Sequence, residues 1–329
     1  MSEKLIFVAQ EGRVSDLIGL KLLCASIASY EPTARIMLYV SQDIIDPLYR
    51  FIPMLSAQIE VIKFEGKDWT CKPVVLLDAL RRKKQRVTWI DSDILFIGKA
   101  SALYGIEKQT LIIAEESAPG AHRLVRERQS ALGIPEGRSF HTTLSSAVLS
   151  VTDAHQQILE TWSTLMTSDV FVSEQLLDKG HRSLFYGDQE VLEAVICSYG
   201  KFPIKILLND LDLLQACWFD KIRKEKGRQP FATHATGNLK PWKYGSRLNQ
   251  EIFPYFEAAR TYRHLLTAHE QEIFTRHSPI STIIKFALGG FPTYRATRRL
   301  IYKMPGGKTL FRKLRVRKYK KIKPASPFG

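Results

Sequence analysis

Asp91-Ser92-Asp93 and the later run His234-Ala235-Thr236-Gly237-Asn238-Leu239-Lys240-Pro241-Trp242 are the residues of this 329-residue chain whose types and spacing suit chemistry. Two carboxylates so close repel each other unless a positive charge sits between them. With a distant imidazole they form a hard oxygen and nitrogen ligand set, which fits Mn2+ or Mg2+ better than a thiolate-seeking metal. Asp91, Asp93 and His234 are therefore the expected ligands of one divalent cation. Gly237 allows backbone to approach a ligand closely, and Lys240 is a flexible point charge suited to phosphate oxygens. Pro241 stiffens the turn and Trp242 walls it. Taken singly, each residue has a plainer reading: Asp-x-Asp often caps a turn, a lone histidine is more often structural, and Gly237 serves equally as a turn glycine. Their combination points to a cation with a diphosphate.

The elements that position these groups read as an alternation of strands and helices. Strands are expected over 4–9, 35–40, 59–64, 87–91, 110–114, 140–151 and 204–208, where β-branched and aromatic residues concentrate. Helices are expected over 16–29 and 73–82, the second with Pro73 in its first turn. Further helices are expected after Thr152 or Asp153, from Gly187 to near Gly200, and over 249–264, the last packing on the back of the domain. The segment 119–138 reads as a helix and loop over the site. This order predicts an α/β fold, a mostly parallel sheet with helices on both faces. Ligands of such sheets bind outside the carboxyl ends of strands, which is where Asp91 and Asp93 fall. Along a strand the two side chains would share one face, with Ser92 opposite. Asp188, read alone, is a plausible helix N-cap.

At this point the chain resembles a known group: retaining glycosyltransferases of the GT-A fold, close to glycosyltransferase family 8, with a Rossmann-like sheet. The resemblance spans roughly residues 4 to 245 and rests on the strand-terminal Asp91/Asp93, the late His234/Gly237/Lys240/Pro241/Trp242 and Asp188-Gln189 before a helix. It implies that Asp91, Asp93 and His234 hold Mn2+ (or Mg2+), and that Lys240 and the backbone at Gly237 hold the UDP diphosphate. It also implies that Asp188 and Gln189 lie near the reacting sugar as the catalytic pair. Ala9 and Gln10 would line the nucleoside, and Ser92, Lys72 and Arg123 would add donor contacts. The implied partners are a UDP-sugar donor and a glycan or glycolipid acceptor. The chain departs from the family at Phe7 to Glu11, which lacks the usual Asn-Tyr, and at His141 to Ala147, which lacks the glycine of the usual Asn-Ser/Thr-Gly. It reads as a divergent relative. The alternatives are a catalytically silent nucleotide-sugar binding protein and a basic nucleic-acid-binding protein, and no nucleic acid is expected.

Charge divides the chain unevenly. Residues 1–272 hold 33 basic and 33 acidic residues, so the formal charge of +15 comes entirely from 273–329, with fifteen Lys and Arg and no Asp or Glu. Ile283, Phe286, Phe291, Tyr294, Leu300, Tyr302, Phe311 and Leu314 are interleaved with those charges. Bulky apolar residues mixed with basic ones describe a segment lying on an anionic membrane surface. The expectation is a transferase domain over 1–272 and a membrane-association segment over 273–329. The four scattered cysteines form no Cys-x-x-Cys pair, which disfavours a thiolate zinc site and a disulfide framework. The start lacks a signal peptide's long apolar region. A cytoplasmic protein attached to the cytosolic face of a membrane is expected.

Overall fold

The computed structural model describes residues 4–66, 68–116, 124–177, 183–199, 201–209, 211–215, 230–235, 240, 242 and 254–275. Its centre is a seven-stranded sheet. The strands are β1 (Ile6–Glu11), β2 (Arg35–Val40), β3 (Gln58–Lys63), β4 (Val87–Ile90), β6 (Leu111–Glu115), β7 (Leu144–Val151) and β8 (Ile204–Leu207), in the order β3-β2-β1-β4-β7-β6-β8. The pairings β1–β2, β2–β3, β1–β4 and β6–β8 are parallel, and β7 runs antiparallel to both β4 and β6. The expected mostly parallel sheet is present, with helices on both faces. All strands but β7 deliver their carboxyl ends to one edge.

Both faces of the sheet are covered, which is why the strands read as near-continuous apolar runs rather than as alternations. Phe7, Ala9, Ile36, Leu38 and Ile90 pack on one side with α1 (Leu17–Tyr30) and α2 (Gln42–Phe51). Ile6, Val8, Met37, Val87 and Trp89 pack on the other. That side holds α3 (Lys72–Lys83), α5 (Gln156–Leu165) and α7 (Asp188–Ser198), with α4 (Val125–Ala131) against α7. α6 spans Asp169–Leu176. Each buried Val, Leu, Ile or Phe side chain contributes about 1.5–3 kcal/mol of transfer free energy.

A second, smaller sheet was not legible in the strand pattern. β5 (Ile94–Phe96) pairs antiparallel with β10 (Ala232–His234), which pairs parallel with β9 (Leu213–Gln215). Three-residue strands are too short for periodicity to reveal. This sheet brings His234 beside the turn after β4: His234 pairs with Ile94, and the Ala235 amide donates to the Asp93 carbonyl at 2.9 Å.

Helix α1 is buried along nearly its whole length, from Leu17 to Ala28. At Gly19 a Cβ would meet the Trp242 ring at 2.6 Å and the Ser92 carbonyl at 2.8 Å. The bare backbone there lets the Asp91–Asp93 turn and Trp242 close on the helix. Lys21, also buried, pairs with Glu270 at 2.9 Å and so fixes α9 (Ala268–Thr275) to the core. The expected helix over 249–264 is α8 (Pro254–Thr261). It packs on β5 and β10 beside the site, not on the back of the domain. Residues 249–253, the segments 117–123 and 276–329, and the positions Gly237, Pro241 and Cys217 lie outside the described residues.

Candidate metal and donor site

β4 ends at Ile90, and Asp91-Ser92-Asp93 forms a turn into β5, closed by the Ile94 amide on the Asp91 carbonyl at 3.0 Å. The two carboxylates therefore converge through a turn and not through strand alternation. The Asp91 amide donates to the Ala147 carbonyl of β7. The Ser92 hydroxyl donates to Glu11 Oε2 at 2.7 Å, which ties the turn to the end of β1. Glu11 in turn accepts from the Gly12 and Arg13 amides and from the Arg13 guanidinium.

Ligand atoms of Asp91, Asp93 and His234 all lie within 4.8 Å of one another. Around one ion at roughly 2.1 Å, opposite ligands stand about 4.2 Å apart. That closeness and the oxygen and nitrogen chemistry of the three groups suit a hard divalent cation. His234 Nε2 lies 3.1 Å from Asp93 Oδ1, and Lys240 Nζ 2.7 Å from Asp93 Oδ2. Burial opposes ionisation of Asp93 most strongly, yet His234 and Lys240 together hold its carboxyl well below the usual range. Burial likewise disfavours the charge of His234 and Lys240, but Asp93, with Asp91 and Glu116 at His234 and Asp16 at Lys240, raises both pKa values.

Asp91 belongs to a second cluster. Its Oδ1 accepts from Trp89 Nε1 at 2.7 Å and lies 3.0 Å from Lys72 Nζ. Lys72, the first residue of α3, also reaches Asp188 Oδ2 at 3.2 Å and donates to the Ser146 hydroxyl at 2.9 Å. Burial opposes its charge, but Asp188 and Asp91 prevail and raise its pKa. Asp188 is pushed up by burial, with Lys72 pulling down and Asp91 pushing up. The Asp91–Asp93 turn thus separates an Asp93–His234–Lys240 cluster from a Lys72–Asp188 cluster.

Asp188 is not the helix cap. Gly187 holds that position, and Asp188 opens α7 with its carboxylate turned to Lys72. Its carbonyl accepts from the buried Trp162 Nε1 at 3.2 Å. Gln189 follows, half-buried. Gln10 is buried and donates to the Gly66 carbonyl at 2.6 Å, near the carboxyl end of β1. The Ala9 methyl lies in the core with α1 and is not brought to the site. Gly237 and Arg123 fall outside the described residues.

Several supporting residues escaped the sequence reading. Asp16 begins α1 but makes no side-chain cap. It accepts instead from Trp242 Nε1 at 2.8 Å and pairs with Arg13 at 3.0 Å, with Lys240 at 4.0 Å. A cap is worth about 1 kcal/mol, and here that bond goes to fixing Trp242. Ser146 gives no sequence signal, because only the β4–β7 pairing brings it to Lys72.

The start of α7 carries its own titration. Glu190 accepts from the Gly187 amide at 2.9 Å, and burial pushes its carboxyl up to about 7. Arg128, the nearby cation, is committed to Glu193 at 2.9 Å, so one guanidinium serves two buried carboxylates. A carboxyl raised on folding contributes stability that is whole below its unfolded pKa and is lost as pH rises through 7. Urea unfolding of the wild type should therefore weaken between pH 5 and 8. Glu190→Gln should remove a share of that decline on the order of 3 kcal/mol. Equal pH profiles for the two proteins would refute the assignment.

No family model and no curated protein sequence matches the chain. Among solved structures it is similar to the galactosyltransferase LgtC in complex with donor and acceptor sugar analogs, at 12% identity over 80% of this chain and 100% of that one, with a TM-score of 0.48. It is also similar to mouse xyloside xylosyltransferase 1 in its apo form, at 14% identity over 72% of this chain and 99% of that one, with a TM-score of 0.48. Both neighbours are glycosyltransferases.

Proposed function

We propose that the protein is a metal-dependent glycosyltransferase that moves a sugar from a UDP-sugar to a glycan or glycolipid acceptor, with retention. The observation that carries this reading is the convergence of Asp91, Asp93 and His234 at the carboxyl end of β4, with Lys240 on the same carboxylate. A cation bound there, Mn2+ or Mg2+, would offset charge on the departing diphosphate. Lys240 and the backbone at Gly237 then bind phosphate oxygens, and Gln10 lines the nucleoside. Lys72 pairs with Asp188 beside the sugar, and Asp188 and Gln189 support its oxocarbenium-like centre. The bond from the anomeric carbon to the phosphate oxygen breaks as the bond to the acceptor oxygen forms on the same face. The acceptor's proton passes to the departing phosphate oxygen. The test is UDP release across a panel of UDP-sugars by EDTA-treated protein, with and without Mn2+. Mn2+-dependent release from a preferred donor supports the reading, and no release from any donor overturns it.

We also propose that residues 273–329 attach the protein to the cytosolic face of a membrane. The support is their fifteen basic and no acidic residues with interleaved apolar ones. Among the described residues no helix is long and apolar enough to cross a membrane. Because α9 runs to Thr275 and Glu270 is bound to Lys21, a cut after Thr275 spares the core. The shortened protein should lose binding to phosphatidylserine vesicles and keep Mn2+-dependent UDP binding. Equal vesicle binding by both proteins would count against the tail.

A further inference from the structure

α8 lies across β5 and β10, the strands that flank Asp93 and His234. Its Tyr255 is fully buried, with its ring 6.0 Å from that of Trp242. The Tyr255 hydroxyl has no hydrogen-bond partner among the described residues. Burial and the charge of Asp93 both hold this phenol protonated, so it is a standing O–H donor on the helix that covers the strand after Asp93 and the strand ending in His234. A buried hydroxyl without a partner is a cost that phenylalanine of the same shape would not carry. Packing alone therefore does not account for it.

Asp93 supplies the reason for such a donor. Both of its oxygens are held by residues with other duties: Oδ1 by His234 and Oδ2 by Lys240. If His234 ligates a cation and Lys240 binds the diphosphate, Asp93 gives up both contacts. A ligating carboxylate is normally oriented by a further hydrogen bond. We propose that Tyr255 is a positioning residue of the cation site, whose hydroxyl donates to Asp93 when Lys240 leaves it for the diphosphate. This rests on the reading of Asp91, Asp93 and His234 as cation ligands.

Tyr255→Phe in the full chain tests it, with Asp93→Ala measured in parallel. With EDTA, Tyr255→Phe should unfold at the same temperature as the wild type or higher, since no bond is lost. Calorimetric affinity for Mn2+ together with UDP should fall roughly ten- to a hundredfold. Unchanged affinity in Tyr255→Phe, with affinity lost in Asp93→Ala, overturns the role of Tyr255 alone. Affinity retained in both variants removes the cation reading itself. A lower unfolding temperature for Tyr255→Phe in EDTA would mean that the hydroxyl already makes a structural bond, and that too overturns the proposal.

Discussion

Replacing Asp93 with alanine is expected to abolish cation-dependent UDP binding, by more than about a hundredfold, since even residues that only orient metal ligands cost ten- to a hundredfold. The same change should weaken the fold. Asp93 is 6% exposed and stands between His234 and Lys240. Its loss leaves two buried basic groups with Asp16 as the nearest described carboxylate of Lys240, at 4.0 Å. Removing one partner of a buried pair costs about 3–5 kcal/mol. Asp93→Asn separates the two effects, because its amide oxygen still accepts from Lys240 or His234 but is a poor ligand for a hard cation. The expected pattern is a marked loss of stability for alanine, a smaller loss for asparagine, which keeps one hydrogen bond but not the charge, and cation-dependent binding lost in both. Calorimetry with UDP and Mn2+, beside urea unfolding in EDTA, measures each part. Retained affinity in both variants would remove Asp93 from the ligand set.

Lys72→Met should behave differently. Lys72 bridges Asp91 and Asp188 at 3.0 and 3.2 Å and is 5% exposed. Without it two carboxylates face each other in a buried pocket, which costs on the order of 3–5 kcal/mol. Turnover should fall by about a hundredfold or more, in the range found when one preorganised charge-stabilising group is removed. Cation affinity should hold or rise, because a positive charge has been taken away from Asp91. Low turnover with intact cation binding distinguishes Lys72 from Asp93. A variant with wild-type turnover would leave Lys72 a purely structural role.

The sequence by itself determined the layered plan. Runs such as Ile6 to Ala9 and Ile36 to Val40 are buried on both faces, and a strand buried on both faces reads as a near-continuous apolar run, so the pattern announces a parallel sheet. It also named the candidate ligand set, because Asp91, Asp93, His234 and Lys240 suit a cation and a phosphate by chemistry alone, and the structure brings these residues together. Four matters needed the tertiary structure. The short β5–β10 pairing that joins Asp93 to His234 spans about 140 residues of chain, and no local period encodes it. The carboxylates converge through a turn, whose geometry depends on Glu11 and Gly19 from other elements. Asp188 reads locally as a cap, and only the approach of α3 to α7 turns it toward Lys72. Asp16 and Tyr255 carry no motif at all. Their surroundings are set by which helix ends and strands come to rest beside them, through contacts between residues far apart in the chain, and local sequence constrains only neighbours.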